Sequence, residues 1–253
     1  MRSRDPHRDP VHRDRAHRPA VAVPSGVARA LLWSGIVGSV LFTAAFLVEG
    51  ATREGYDVWR QPISALSLGA GGWVQGVNFV VFGLLLGCYA GGLRMVLAPG
   101  LGWKWAPRLQ AVAALGLIVD GVFAQDPALG YPPGTPTPAT PSPHAVLHLL
   151  GATLVFTALP LRCFVLARRF AEASRTDPGW RGWASYSVVT GVLFWALLAC
   201  FAVASGAHAG PAGLFEKLAS VVMSVYGISL ASHLLAGARD LRAASPSGME
   251  GSR

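Results

Sequence analysis

The sequence predicts an all-α polytopic membrane protein: a six-transmembrane-helix bundle with both termini cytoplasmic. Three observations carry that expectation. The 253 residues are 52% hydrophobic and only 13% charged, with mean hydropathy +0.44; soluble domains carry roughly 25% charged residues. The apolar residues gather in six runs of roughly 18–25 residues, enough for a helix rising 1.5 Å per residue to cross a ~30 Å hydrocarbon core. The 21 Lys and Arg residues fall mainly in alternate loops, as the preference of cytoplasmic loops for positive charge requires.

Residues 1–25 are polar and basic, with Arg2, Arg4, Arg8, Arg13, Arg15 and Arg18. They read as a disordered cytoplasmic arm within reach of anionic lipid. No small-residue cleavage site clearly ends the long apolar run behind them, which argues against a signal peptide. The six runs are about 27–49, 73–97, 107–124, 144–167, 183–205 and 215–237, inside a transmembrane domain of residues 26–238. Residues 239–253 read as a cytoplasmic tail. Between the first two runs, Pro62 to Leu68 is apolar but too short to span; it predicts an interfacial or re-entrant helix. The second run carries Asn78, which needs a polar partner in the bundle, and Gly83 and Gly87, which let helices approach closely. The third run is the shortest and carries Asp120. The proline-rich stretch behind it, "DPALGYPPGTPTPATPSPHAVLH" (126–148), cannot form regular helix and is semi-rigid. Ser142 is a good N-cap for the fourth run, with Pro143 at the first helical position. Trp73, Trp103, Trp105, Trp180 and Trp183 lie near run ends, as an interfacial aromatic belt does. Cys88, Cys163 and Cys200 sit inside apolar runs without a CxxC pattern and read as small buried apolar side chains.

Orientation follows from the basic residues. The arm and the start of the first run hold seven, counting Arg29. The loop after the second run takes Arg94, Lys104 and Arg108. The loop after the fourth is assigned Arg162, Arg168, Arg169, Arg175 and Arg181, and the tail Arg239, Arg242 and Arg253. Eighteen therefore fall on one side, against Arg53, Arg60 and Lys217 on the other. The net charge of +8 does not indicate a nucleic-acid binder, because these residues are not gathered on one soluble face.

The remaining polar residues then sort to the outer side: Glu49, Glu54, Asp57, Asp120, Asp126 and Glu216, with His144, His148 and His208. Tyr56, Gln61, Ser64, Ser67, Asn78 and Gln125 join them. His144 and His148 are four apart and share a helix face. The positive helix end there favours neutral, metal-ligating imidazole. Three function classes fit. In the first, a metal-dependent hydrolase acting on a lipid or other small substrate, Asp126, His144 and His148 bind zinc, with His208, Glu49 or Glu216 as a further ligand and Ser64 as another catalytic candidate. HxxxH alone is a weak pattern, and the HExxH form is absent because Ala145, Val146 and Leu147 intervene. The plainer alternative is that the histidines hydrogen-bond Asp126 or loop carbonyls. In the second class, a transporter or binding protein for a small solute or lipid head group, Asp120 is the intramembrane ionisable group to test. Against transport, the inner halves of the helices show little charge, and no inverted repeat is visible. In the third, a structural or accessory protein, the cluster only satisfies buried polar groups. GxxxxGK[ST] is absent, which argues against ATP-driven activity in this chain. His233, near the inner end of the sixth run, reads as an interface residue.

"YDxxxQPISALSLG", "GWVQGVNFVVFG", "GVFAQDP" and "HAVLH" together resemble the bacterial membrane family catalogued as domain of unknown function 998, over about residues 27–238. The resemblance implies a multi-helix integral membrane protein and no established activity. "GVFAQDP" departs from the commoner "GxFPxDP" at Ala124, where proline is usual, which bears on the loop geometry and not on the fold.

Overall fold

A computed structural model describes residues 21–207 and 210–243. His208, most of the basic arm and most of the C-terminal tail lie outside the described residues. Six helices follow one another: α1 Gly26–Thr52, α2 Gly72–Val96, α3 Trp105–Val122, α4 Pro143–Ala173, α5 Trp183–Gly206 and α6 Ala212–Ala243. Two short 3₁₀ helices, Ile63–Ser67 and Pro178–Trp180, lie in the connections. There is no strand among the described residues, only an isolated bridge between Ala128 and Tyr131.

The helix starts obey local chemistry. The Ser25 and Ser142 side chains accept from the Ala28 and Ala145 N–H groups at 3.2 and 3.1 Å, capping α1 and α4. Five of the helices are long and apolar enough to cross a membrane. The exception is α3, whose 18 residues include Arg108 and Asp120 and reach only about 27 Å.

Consecutive helices pack side by side, and α6 returns to α1, so the six close a ring. Close approach within the ring needs small residues: a Cβ at Gly83 would lie 2.7 Å from the Ala114 carbonyl oxygen of α3. The outward faces are apolar as well, with Trp73, Leu84, Leu115, Val192 and Val203 exposed, as suits helices solvated by lipid. Trp105 is also exposed, and the Arg94 guanidinium lies 3.8 Å over the Trp103 ring.

The expectations for Arg162, Trp180, His233 and two of the cysteines are corrected. Arg162 belongs to no loop: it lies inside α4, within the apolar run itself, and is 2% exposed because its helix face turns into the bundle. Trp180 is not an interface residue but is buried, stacked on Phe170 at 4.7 Å. His233 sits between Trp180 and Trp183, 4.6 and 4.7 Å from their rings. Of the cysteines, only Cys163 is buried; Cys88 and Cys200 are exposed, because their helix faces turn to the apolar surroundings of the bundle.

Candidate functional site

The ring encloses a cavity of about 310 Å³. Every helix contributes to its wall, among others Gly35, Phe82, Leu117, Val155, Phe194 and Met223. Apart from Ser39, Ser220 and Ser224, the polar side chains gather at two levels. Ser64, Asp120, Gln125, His148 and Glu216 line one end. Tyr89, Gln110 and Arg162 line the other.

The first end is built by the connection between α1 and α2. Its 3₁₀ helix is buried, with Ile63, Ala65 and Leu66 almost fully so. The segment just before it caps α6. At the start of α6 the Gly213 N–H donates to the Arg60 carbonyl at 3.1 Å, and the Leu214 N–H is shared between the Trp59 carbonyl at 3.0 Å and the Pro211 carbonyl at 3.1 Å. Two charged side chains of α6 complete the grip. The Glu216 carboxylate accepts from Ile63 N–H at 2.6 Å, and Lys217 Nζ donates to the Gln61 carbonyl at 2.7 Å. The Tyr56 hydroxyl donates between the Gln61 and Pro62 carbonyls, at 3.0 and 2.9 Å. Burial, and then the nearby Glu216 carboxylate, push the Tyr56 phenol above its ordinary pKa. Tyr131 of the proline-rich loop is buried edge-on against Tyr56 at 5.6 Å. Both connections therefore lie over this end of the cavity.

His148 and Asp120 form the centre of the cluster. His148 Nδ1 lies 2.8 Å from the Phe123 carbonyl and 3.7 Å from Asp120 Oδ1. A carbonyl only accepts, so Nδ1 carries the proton in this arrangement and Nε2 is left as the acceptor of the neutral ring. Asp120 Oδ1 itself has no hydrogen-bond partner. The Ser64 hydroxyl donates to Gln125 Oε1 at 2.5 Å.

The residues singled out from the sequence divide. His148, Asp120, Glu216 and Ser64 line the cavity together. Asp126 instead accepts from the Ser142 backbone N–H at 2.7 Å. That bond, and then the Ser142 hydroxyl, hold its carboxyl below the usual carboxylate range. His144 is exposed, its ring 5.4 Å from that of Phe123. Among the described residues no group of three or more His, Cys, Asp or Glu is placed to hold a metal ion. Glu49 pairs with Arg53 at 2.6 Å, and Asp57 accepts from the Trp59 N–H at 2.9 Å. Asn78 finds its polar partners in the Phe42 carbonyl and Gln75, at 3.3 and 3.1 Å.

Sequence reasoning missed Gln110 and Arg162. The signal was present: an arginine inside an apolar run, behind Pro160 and Leu161, is expensive in a membrane and marks a site by default. It also missed Lys217 as a loop anchor, because a lone lysine at a run end reads as a rim charge.

The family described as protein of unknown function DUF998 matches residues 36–233. The chain belongs to the DUF998 family. The matched stretch takes in the cavity and both connections that cover it, so the DUF998 unit and the ring largely coincide. Comparison of this DUF998 protein with curated proteins and with solved structures returned no match.

Proposed function

We propose that this DUF998 protein is a six-span plasma-membrane protein, both termini cytoplasmic, whose central cavity binds a lipid or other small amphiphile. The carrying observation is an apolar cavity inside the ring that ends in the cluster of Ser64, Asp120, Gln125, His148 and Glu216. Apolar walls with a few converging polar groups are the usual composition of a ligand site. The basic residues support the orientation. With Arg162 moved into the bundle, seventeen still fall on the inner side against three on the outer. The cluster then faces outward, at the end through which an outer-leaflet molecule enters the cavity.

Purified protein in a nonionic detergent, titrated with radiolabelled hexadecanol, tests this. Saturable binding is expected, and Leu117→Trp, which fills the middle of the cavity, abolishes it while the protein stays monodisperse. Absence of saturable binding to the wild type refutes the proposal and leaves the cluster a structural device.

A second reading, hydrolysis of the bound molecule, is favoured by His148. Its Nδ1 bond to the Phe123 carbonyl leaves Nε2 free to take a proton from water, as a general base does. Ser64 is a weaker candidate, since its proton goes to an amide oxygen and not to a base. Release of nitrophenol from p-nitrophenyl decanoate, lost in His148→Gln but kept in Ser64→Ala, supports this reading; no release by the wild type removes it.

A further inference from the structure

We infer that the inner end of the cavity is a subsite for the carboxylate of a single-chain amphiphile, with Arg162 as its cation. The inference rests on the binding reading above and gives it a ligand class. Arg162 is 2% exposed and lines the cavity. Among the described residues it makes no ion pair with a carboxylate. Its partners are neutral: the Gln110 side-chain oxygen, Met223 Sδ at 3.5 Å and the Tyr226 ring, whose centre lies 5.5 Å from the guanidinium carbon. Its Nε–H has no acceptor.

Two more donors in the same wall share that condition. Gln110 Nε2 and the Tyr89 hydroxyl are buried without a hydrogen-bond partner. The amide orientation of Gln110 follows from the network: its oxygen takes the Arg162 donor, so its NH₂ points elsewhere. Tyr89 and Arg162 lie at similar depth, about 26 and 29 Å along α2 and α4, which start at the same end of the ring. Three unaccepted donors and one uncompensated positive charge call for an anion. Water could accept the hydrogen bonds but would leave the charge unneutralised in a low-dielectric bundle. A carboxylate does both, and its two oxygens suit the planar guanidinium.

The two polar levels also set the ligand's length and direction. Arg162 is about 21 Å from His148 along α4, and Gln110 about 15 Å from Asp120 along α3. Half of a ~30 Å hydrocarbon core, the reach of one acyl chain, is about 15 Å. Phe42, Phe82, Leu86, Val155 and Leu159 supply the apolar wall between. Asp120 and Glu216 make the outer end unfavourable for an anion, so the carboxylate lies inward.

Radiolabelled palmitate and hexadecanol, titrated separately into the wild type, Arg162→Gln and Gln110→Glu in nonionic detergent, test the subsite. Gln110→Glu keeps the side-chain shape and supplies Arg162 with an internal carboxylate, so it holds the fold even where Arg162→Gln does not. Palmitate is expected to bind the wild type more tightly than hexadecanol. Both variants should weaken palmitate roughly tenfold to a hundredfold, as loss of a charge-assisted contact does, and leave hexadecanol unchanged. Equal affinity for the two probes, or unchanged palmitate affinity in Gln110→Glu, overturns the subsite and leaves the cavity reading standing. Failure of both probes to bind the wild type overturns both.

Discussion

Replacing Gly213 by alanine tests how the α1–α2 connection is held on α6. A Cβ at this position would overlap the Gln61 backbone, 2.6 Å from its carbonyl carbon and 2.9 Å from its nitrogen. The Gln61 carbonyl oxygen lies closer still, and ordinary Cβ contacts begin at 3.4 Å, so the connection or the first turn of α6 must give by more than 1 Å. A rigid retreat of that size would stretch four hydrogen bonds, now 2.6 to 3.1 Å, to the edge of hydrogen-bonding range or past it. Two of them involve charged groups and two are neutral, so losing all four would cost roughly 5–8 kcal/mol. Local overpacking typically costs ~1–3 kcal/mol. The cheaper route wins: the connection stays docked, strained, and the protein loses about 1–3 kcal/mol. Gly206→Ala is the control, because a Cβ there meets nothing within 4 Å and alanine improves helix propensity by up to ~1 kcal/mol. The assay is unfolding in detergent, together with hydrogen exchange of residues 56–68. Opposite signs for the two substitutions are expected, with exchange rising only in Gly213→Ala. Equal unfolding midpoints and unchanged exchange would refute the reasoning.

Other perturbations have defined outcomes. His148→Ala leaves the Phe123 carbonyl and Asp120 without their ring partner and should cost roughly 1–3 kcal/mol; thermal unfolding reads it, and a wild-type midpoint counts against the cluster as drawn. Phe170→Ala removes a ring stacked on Trp180. Both rings lie past the apolar run, so the cost should reach the ~3–5 kcal/mol of a water-soluble core; a loss under about 1 kcal/mol in denaturant unfolding contradicts this. The Asp126 carboxyl, held low by Ser142, contributes to anchoring the proline-rich loop above the ordinary carboxylate pKa. The contribution is lost as pH falls through its depressed folded value. The protection factor of the Ser142 amide, its exchange corrected for the intrinsic pH dependence, should therefore fall on acidification and stay constant over the same window in Asp126→Asn; identical protection profiles would remove the anchor.

The helices were legible because lipid solvation imposes a coarse rule, a run of about 20 apolar residues. The run 73–97 differs from Gly72–Val96 by one residue at each end, and 183–205 from Trp183–Gly206 by one residue at its C-terminal end alone. The fourth run was expected to stop at 167, but α4 continues to Ala173, since a helix does not stop where its sequence turns polar. Counting charges by neighbourhood put Arg162 in a loop, and only depth along α4 reveals it as buried. Ser142 was legible as a cap because capping is local chemistry. Which histidine faces inward was not, because it depends on where α3 ends: the Phe123 carbonyl takes His148 and the Phe123 ring takes His144. The pairing of Gln61 and Ile63 with Lys217 and Glu216 joins segments more than 150 residues apart, and no local pattern encodes it.

That long-range clasp bears on biogenesis. Translation delivers the α1–α2 connection long before α6, so its carbonyls at Trp59, Arg60 and Gln61 wait at the bilayer rim for donors that do not yet exist. A nascent chain halted before Gly213 would hold five of the six helices and leave the ring open between α5 and α1. Closure of the cavity is thereby coupled to completion of the ring.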